Sequence, residues 1–259
     1  MTTLFLLLAG VLGTLAPSFG GSGSYRDEFH QTFALDARGR VALENINGDV
    51  HITAWDRNEV QVDAAKRASS QERLDDAQIV VDVGHGSISI KTHYPGAGNS
   101  EHPAIVDYRV KVPRTARLDQ VKLVNGTLEI SGMRGEVRAS SVSGAIRTHG
   151  LAGNVKLSTV SGRLEASFEE LEASRSISMN SVNGAIELLL PMDVHADLQA
   201  DTVSGGISSD FGRPTERGKF PGRHWSSALK GGGARIRMSN VNGSIVVAPA
   251  WHGKRVKFT

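Results

Sequence analysis

The sequence predicts an all-β chain coiled as a β-solenoid of about seven rungs, and three observations carry that prediction. One phrase recurs along the chain: LENINGDVHI from Leu43, VKLVNGTLEI from Val121, ASSVSGAIRT from Ala139, LSTVSGRLEA from Leu157, MNSVNGAIEL from Met179, ADTVSGGISS from Ala200 and MSNVNGSIVV from Met238. Between Gly126 and Gly205 its glycines fall 18, 18, 22 and 21 residues apart. Self-similarity at such a period marks units that stack on their neighbours. Composition agrees, since 29 glycines and only 5% aromatic residues suit short strands and tight turns better than a large enzyme core.

The columns of the repeat predict how each rung is built. Two residues before the glycine stand Ile46, Val124, Val142, Val160, Val182, Val203 and Val241, and two after it Val50, Leu128, Ile146, Leu164, Ile186, Ile207 and Ile245. Asn or Ser directly precedes every glycine, and a small polar residue lies three before it in every copy except at Leu123. Ser-Gly or Asn-Gly between alternating strands also fits a two-residue hairpin. A hairpin would turn Val160 away from Leu157 and Leu164. Aliphatic residues in all seven copies favour burial, so the expectation is a corner at the glycine with Val160 and Leu164 both inside. Tandem hairpins are the alternative. The Asn/Ser column is expected to form a polar ladder from rung to rung. The column three after the glycine (His51, Glu129, Arg147, Glu165, Glu187, Ser208, Val246) is expected to face water, with weak cross-strand pairs.

Before the regular rungs, LFLLLAGVLGTLA (residues 4–16) is too short to span a bilayer comfortably, and small residues follow it at Ser18 and Gly20. It reads as a signal peptide over residues 1–20, cleaved near Gly20, followed by a linker over 21–32 and the solenoid domain over 33–259. Met1-Thr2-Thr3 is atypical for such a leader because it carries no basic residue; a buried apolar N-terminal element is the other reading. Between Gly48 and Gly126 the period lapses. NEVQVDAAKRA reads as a strand, SSQERLDDAQ as a short helix or turn, IVVDVGHGSISIKTHYP and IVDYRVKVP as strands, and HYPGAGNSEHP as a loop. These segments are expected to cap one end, where an open rung would expose unpaired backbone.

The rungs resemble those of the bacterial DUF4097 family of β-strand-repeat proteins, often labelled adhesins on architecture alone. INGDVHITAWD (Ile46–Asp56) is similar to the family's opening rung, YRVKVPRTARLDQVKLVNG to its middle passage and GGGARIRMSNVNGSIVV to its closing rung. The resemblance spans roughly residues 33–247. The chain departs from the family at Leu123, and at the alanine, arginine, glycine or serine that follows several glycines where the family often has aspartate. The resemblance implies a right-handed parallel β-helix-like domain, exported, with no catalytic residues to carry over.

The residues themselves offer little chemistry. Without cysteine there is no disulfide, thiolate nucleophile or cysteine zinc site. A net charge of +2 with no concentrated basic stripe argues against nucleic acid, despite a pI near 9.0. The nine histidines form no HExxH pair, although His85, His93 and His102 lie close enough in sequence to converge on a metal; scattered surface histidines are the plainer reading. The serines before glycines alternate with asparagine between rungs, which fits a structural ladder and not a nucleophile. No cofactor is expected. The segment Asp210–Ala234 alone interleaves basic and aromatic residues. Arg217, Lys219, Arg223 and Trp225 are therefore the candidate contacts to an anionic glycan, the competing reading being a hairpin whose Phe220 and Trp225 pack on the scaffold. The resulting expectation is a non-enzymatic, extracytoplasmic protein of periplasm or cell surface, with an adhesin-like or structural role and an envelope protein or glycan as partner. No transmembrane anchor is expected after leader cleavage. A periplasmic stress-regulatory module and a polysaccharide-cleaving β-helix enzyme are the alternatives; the enzyme would need carboxylates gathered on one face.

Overall fold

The computed structural model describes residues 25–96, 103–212 and 222–250; the expected leader and its cleavage point lie outside them. The strands of the leading part are β1 (Tyr25–Ala34), β2 (Arg40–Asn47), β3 (Val50–Trp55) and β4 (Glu59–Ala68). Helix α1 (Gln71–Asp76) follows, then β5 (Gln78–Gly84), β6 (Ser87–His93) and β7 (Ile105–Pro113). Next come β8 (Arg117–Asn125), β9 (Leu128–Ser131), β10 (Val137–Ser143), β11 (Ile146–Leu151), β12 (Val155–Ser161) and β13 (Leu164–Phe168). The last are β14 (Ser176–Asn183), β15 (Ile186–Leu190), β16 (Ala196–Ser204), β17 (Ile207–Ser209), β18 (Arg223–Leu229), β19 (Ala234–Asn242) and β20 (Ile245–Pro249).

Two ten-stranded sheets result. The first runs β1-β4-β7-β3-β9-β11-β13-β15-β20-β17 and the second β18-β16-β19-β14-β12-β10-β8-β2-β6-β5. Each repeat contributes one strand to each sheet and bends between them at its glycine. Copies pair in register: Leu157 lies beside Ala139 and Met179, and Leu164 beside Ile146 and Ile186, all in parallel strands. One apolar core runs between the sheets, with Leu157, Met179, Ile146, Leu164 and Ile186 fully buried.

The glycine corner is dictated sterically. Gly162 has φ +155°, and a Cβ there would stand 2.1 Å from the carbonyl oxygen of Gly144 on the neighbouring rung. The corners stack tightly because each backbone reaches the next: Gly144 N–H donates to Ser161 O and Gly162 N–H to Asn183 O, both at 2.9 Å.

The valine column departs from expectation. Ile46, Val124, Val142, Val160, Val182, Val203 and Val241 are not core; they are 38–59% exposed. Strand alternation persists up to the corner, so Val155, Leu157 and Thr159 point in while Lys156, Ser158 and Val160 point out. The bend absorbs Gly162 and Arg163, and inward positions resume at Leu164. Parallel stacking is thus compatible with an outward valine, a combination that the choice between hairpin and buried corner left out.

The polar ladder exists, but in the column three before the glycine. Asn45, Ser141, Thr159, Ser181, Thr202 and Asn240 are buried. Several of them donate to glycine carbonyls of the adjoining rung: Asn240 Nδ2 to Gly184 O at 2.7 Å, Thr202 Oγ1 to Gly243 O at 3.3 Å and Thr159 Oγ1 to Gly144 O at 3.5 Å. Leu123 is tolerated because the carbonyl it would serve, that of Gly48, already accepts from Asn45 Nδ2 at 3.3 Å. The Asn/Ser column directly before the glycine is largely exposed, and Asn242 to Asn183 at 2.9 Å is a side-chain bond within it.

The leading segments do cap one end. Strands β1, β4 and β7 are antiparallel on the first sheet and β5 and β6 antiparallel on the second. Ser70 caps α1 by accepting from Arg73 N–H, and Leu74 anchors the helix in the interior. Beneath the cap, Asn45 Nδ2 donates to Val106 O at 2.8 Å and Asn45 Oδ1 accepts from Thr92 at 2.9 Å; Thr92 lies 2.7 Å from the Tyr108 hydroxyl. Burial pushes that hydroxyl's pKa up to about 12, so it stays protonated. Residues 25–32, expected as linker, are instead most of β1, which pairs with β4 from Tyr25–Ala68 to Ala34–Glu59.

The rungs do not stack in chain order. β19 and β20, the last copy, sit between β14/β15 and β16/β17. The sixth copy leaves a place vacant, β18 returns antiparallel along β16, and the final copy fills the gap. Three successive positive-φ glycines, Gly231, Gly232 and Gly233, make the reversal from β18 into β19.

Candidate binding surfaces

The outward column of the first sheet is longer than the repeat alone indicates. Register places His30, Asp63, Arg109, His51, Glu129, Arg147, Glu165 and Glu187 side by side on successive strands. His30 contacts Asp63. His51 Nδ1 is 3.0 Å from Glu129, whose carboxylate is also 3.6 Å from Arg147; Arg147 is 3.7 Å from Glu165. These side chains are partly exposed, and such pairs contribute only a few tenths of a kcal/mol each (about 0.2–1). The expected solvated, mixed-sign face is present.

The pattern breaks where Glu165 stands beside Glu187. Burial raises the Glu187 pKa, Glu165 adds to the rise, and Arg163 at 4.0 Å opposes it. A raised carboxyl pKa means that the folded chain holds a proton where the unfolded chain has released it. This group's contribution to stability therefore falls as pH rises through the carboxylate range. Glu187→Gln is expected to melt higher than the parent near neutral pH, the gap closing as the pH is lowered. A gap in thermal midpoint that stays constant between about pH 7 and about pH 4 would contradict this.

At the capped end of this face is a cleft of about 500 Å³ lined by Glu28, His30, Asp49, His51, Asp63, Asp107 and Arg109, among others. Asp49, Asp63 and Asp107 already have structural work. Asp49 Oδ1 accepts from Thr127 N–H at 2.7 Å, and Asp107 Oδ1 accepts from Asp49 N–H at 2.9 Å while its other oxygen meets Arg67. Asp49 shows what an aspartate after the rung glycine does: it ties one corner to the next. Among the described residues no three of His, Cys, Asp and Glu are grouped to hold a metal, and His102 lies outside them.

The outward face of the second sheet differs. The valine column runs beside Ser140, Ser158, Asn180 and Ser239; these four, with Val124, Val142, Val160, Val182 and Lys122 at one end, line a shallow trough of about 470 Å³. Four consecutive rungs, β10, β12, β14 and β19, carry no charge in these two columns. Charge returns at the ends: Glu44 lies 3.3 Å from Lys122, and Asp201 lies 2.6 Å from His224. Reasoning from the sequence missed this surface, although its signal, seven aliphatics in one column, was visible.

Of the four candidate contacts, Arg217 and Lys219 lie outside the described residues, as does Phe220. Arg223 is exposed at the start of β18. Trp225 is 2% exposed and faces the core beside Ala200, so it is not a surface contact but a structural anchor. The inward alternation of β18 uses the ring to cover the end of the stack.

The family described as Toastrack DUF4097 matches residues 36–248. A solved structure of a proposed cell adhesion protein from Clostridium sporogenes aligns over 86% of this chain and 100% of its own, at 10% identity and a TM-score of 0.52; it is a likeness of fold. A proposed adhesin from Bacteroides fragilis aligns over 86% of this chain and 97% of its own, at 8% identity and a TM-score of 0.29. A proposed lipid binding protein from Parabacteroides distasonis aligns over 87% and 97%, at 7% identity and a TM-score of 0.31. No curated protein matches the chain.

Proposed function

The chain belongs to the Toastrack DUF4097 family, and on that footing we propose that it is a non-enzymatic, exported protein with an adhesin-like binding or structural role at the cell envelope. The leader is removed near Gly20, and the protein works in the periplasm or at the surface. No helix among the described residues is long and apolar enough to cross a membrane. The rungs coil right-handed, in line with the strong preference of parallel crossovers.

One observation carries this reading. The first sheet presents an unbroken row of ionisable side chains from His30 to Glu187 over eight adjacent strands, roughly 34 Å at the spacing of paired strands. A long, rigid, repeating surface suits an extended ligand better than a small molecule. The name given to one similar fold, the proposed cell adhesion protein from Clostridium sporogenes, points the same way. The ligand is an anionic glycan or an envelope protein, met through charge-assisted contacts from Arg217, Lys219 and Arg223.

The test is binding of the full chain and of an Arg217→Ala, Lys219→Ala, Arg223→Ala variant to anionic envelope glycans and cell-surface preparations. Binding by the parent is expected to weaken with salt and to fall at least about tenfold in the variant, since exposed charges are screened over roughly 10 Å at 0.1 M. Equal binding removes these three residues from the reading. Turnover of a glycan by the parent overturns the non-enzymatic role.

A further inference from the structure

We propose that the valine face of the second sheet is a self-association surface, on which a second copy of this chain docks with its rung stack running antiparallel.

The column is not aliphatic merely because strands favour β-branched residues. The outward column six before the glycine is polar in six of the seven rungs, with Gln120, Arg138, Lys156, Ser178, Arg237 and Gln199, and is broken only by Ala42. Only the valine column is apolar in every rung, and each of its members is 38–59% exposed. Summed, that is on the order of 450 Å² of apolar surface, the size of the largest patch on a typical monomer. Two such faces with their flanking serines cover about 1,000 Å², the lower bound for a specific interface. Sheet faces pack about 10 Å apart, with short side chains interdigitating. Valine and serine are short enough for that approach.

Charge placement selects the occupant and its orientation. A two-fold axis along the strands, passing between β12 and β14, sets Val160 against Val182 of the second copy, Val142 against Val241, and Val124 against Val203. The same operation sets Lys122 against Asp201 and Glu44 against His224 at both ends. Each charged end thus meets its opposite, and the rungs without charge in these two columns meet in the middle, as a self-complementary two-fold interface requires. Turning the second stack the other way sets each rung against its own copy, so Lys122 no longer meets Asp201. Arg138, Lys156 and Arg237 lie along the margin, where long basic side chains extend past the interface into water.

Sedimentation velocity over a concentration series tests the proposal on the full chain. The parent is expected to pass from monomer to dimer. Val160→Asp with Val182→Asp is expected to weaken self-association at least tenfold while leaving circular dichroism unchanged. Lys122→Glu and Asp201→Lys are each expected to weaken it, and the double variant to recover most of the loss, because the swapped charges meet again across the axis. A parent that is monomeric at every concentration overturns the proposal. So does a dimer that persists undiminished in the valine variant. A dimer sensitive to the valines but without recovery in the double charge variant overturns the antiparallel orientation.

Discussion

Gly162→Ala is expected to destabilise the protein by at least about 3 kcal/mol, lowering its thermal midpoint by roughly 6–12 °C for a chain of this size. Two costs combine. At φ +155° an L side chain is strained by itself, by about 1–3 kcal/mol. The new Cβ would also lie 2.1 Å from Gly144 O and 2.6 Å from Gly144 C, both backbone atoms. Neither can withdraw freely, because Gly144 N–H is held by Ser161 O and Gly162 N–H by Asn183 O, each at 2.9 Å. Gly86→Ala is the control that separates the two costs. Gly86 has φ +67° but nothing within 4 Å of its would-be Cβ, so only the backbone strain applies, about 1–2 kcal/mol. Thermal unfolding of both variants checks the prediction, and equal losses would refute the close approach between rungs.

Leu164→Asp is expected to abolish folding, whereas Val160→Asp, four residues earlier, changes monomer stability by no more than about 1 kcal/mol. Leu164 is fully buried between the sheets, among Ile146 and Ile186 on the flanking strands. An unpaired carboxylate there costs more than about 5 kcal/mol, comparable with the whole stability of a typical domain. Val160 is 47% exposed, and a carboxylate there keeps its water. Since Leu164→Asp is expected to leave no folded protein to measure, Leu164→Ala serves beside it, with an expected loss of about 2–5 kcal/mol. The comparison is made on dilute protein, where self-association adds nothing to the midpoint. Comparable losses at Val160 and Leu164 would restore the buried corner.

The sequence by itself determined the repeat, its seven glycine corners, the strands on either side of each and the irregular end that caps them. These are local or periodic properties: alternation makes a strand, a glycine at a fixed place makes a bend, and a recurring period makes a stack. The pairs Glu129–Arg147–Glu165 were legible for the same reason, since register follows once the glycines are aligned. Which side of the sheet the valines occupy was not legible. Alternation gives two faces but not the number of residues that a corner absorbs, and here Gly162 and Arg163 absorb the change of direction so that Thr159 and Leu164, five apart, both point inward. The column three before the glycine had to be read as core although it is polar, because its hydroxyls and amides meet glycine carbonyls contributed by another rung. The placement of β19 between β14 and β16, the pairing of β1 with β4 and the burial of Trp225 rest on contacts between distant segments. The tertiary structure decided them because β18 returns along β16 and leaves the last copy the gap between β14 and β16, where it pairs on both sides.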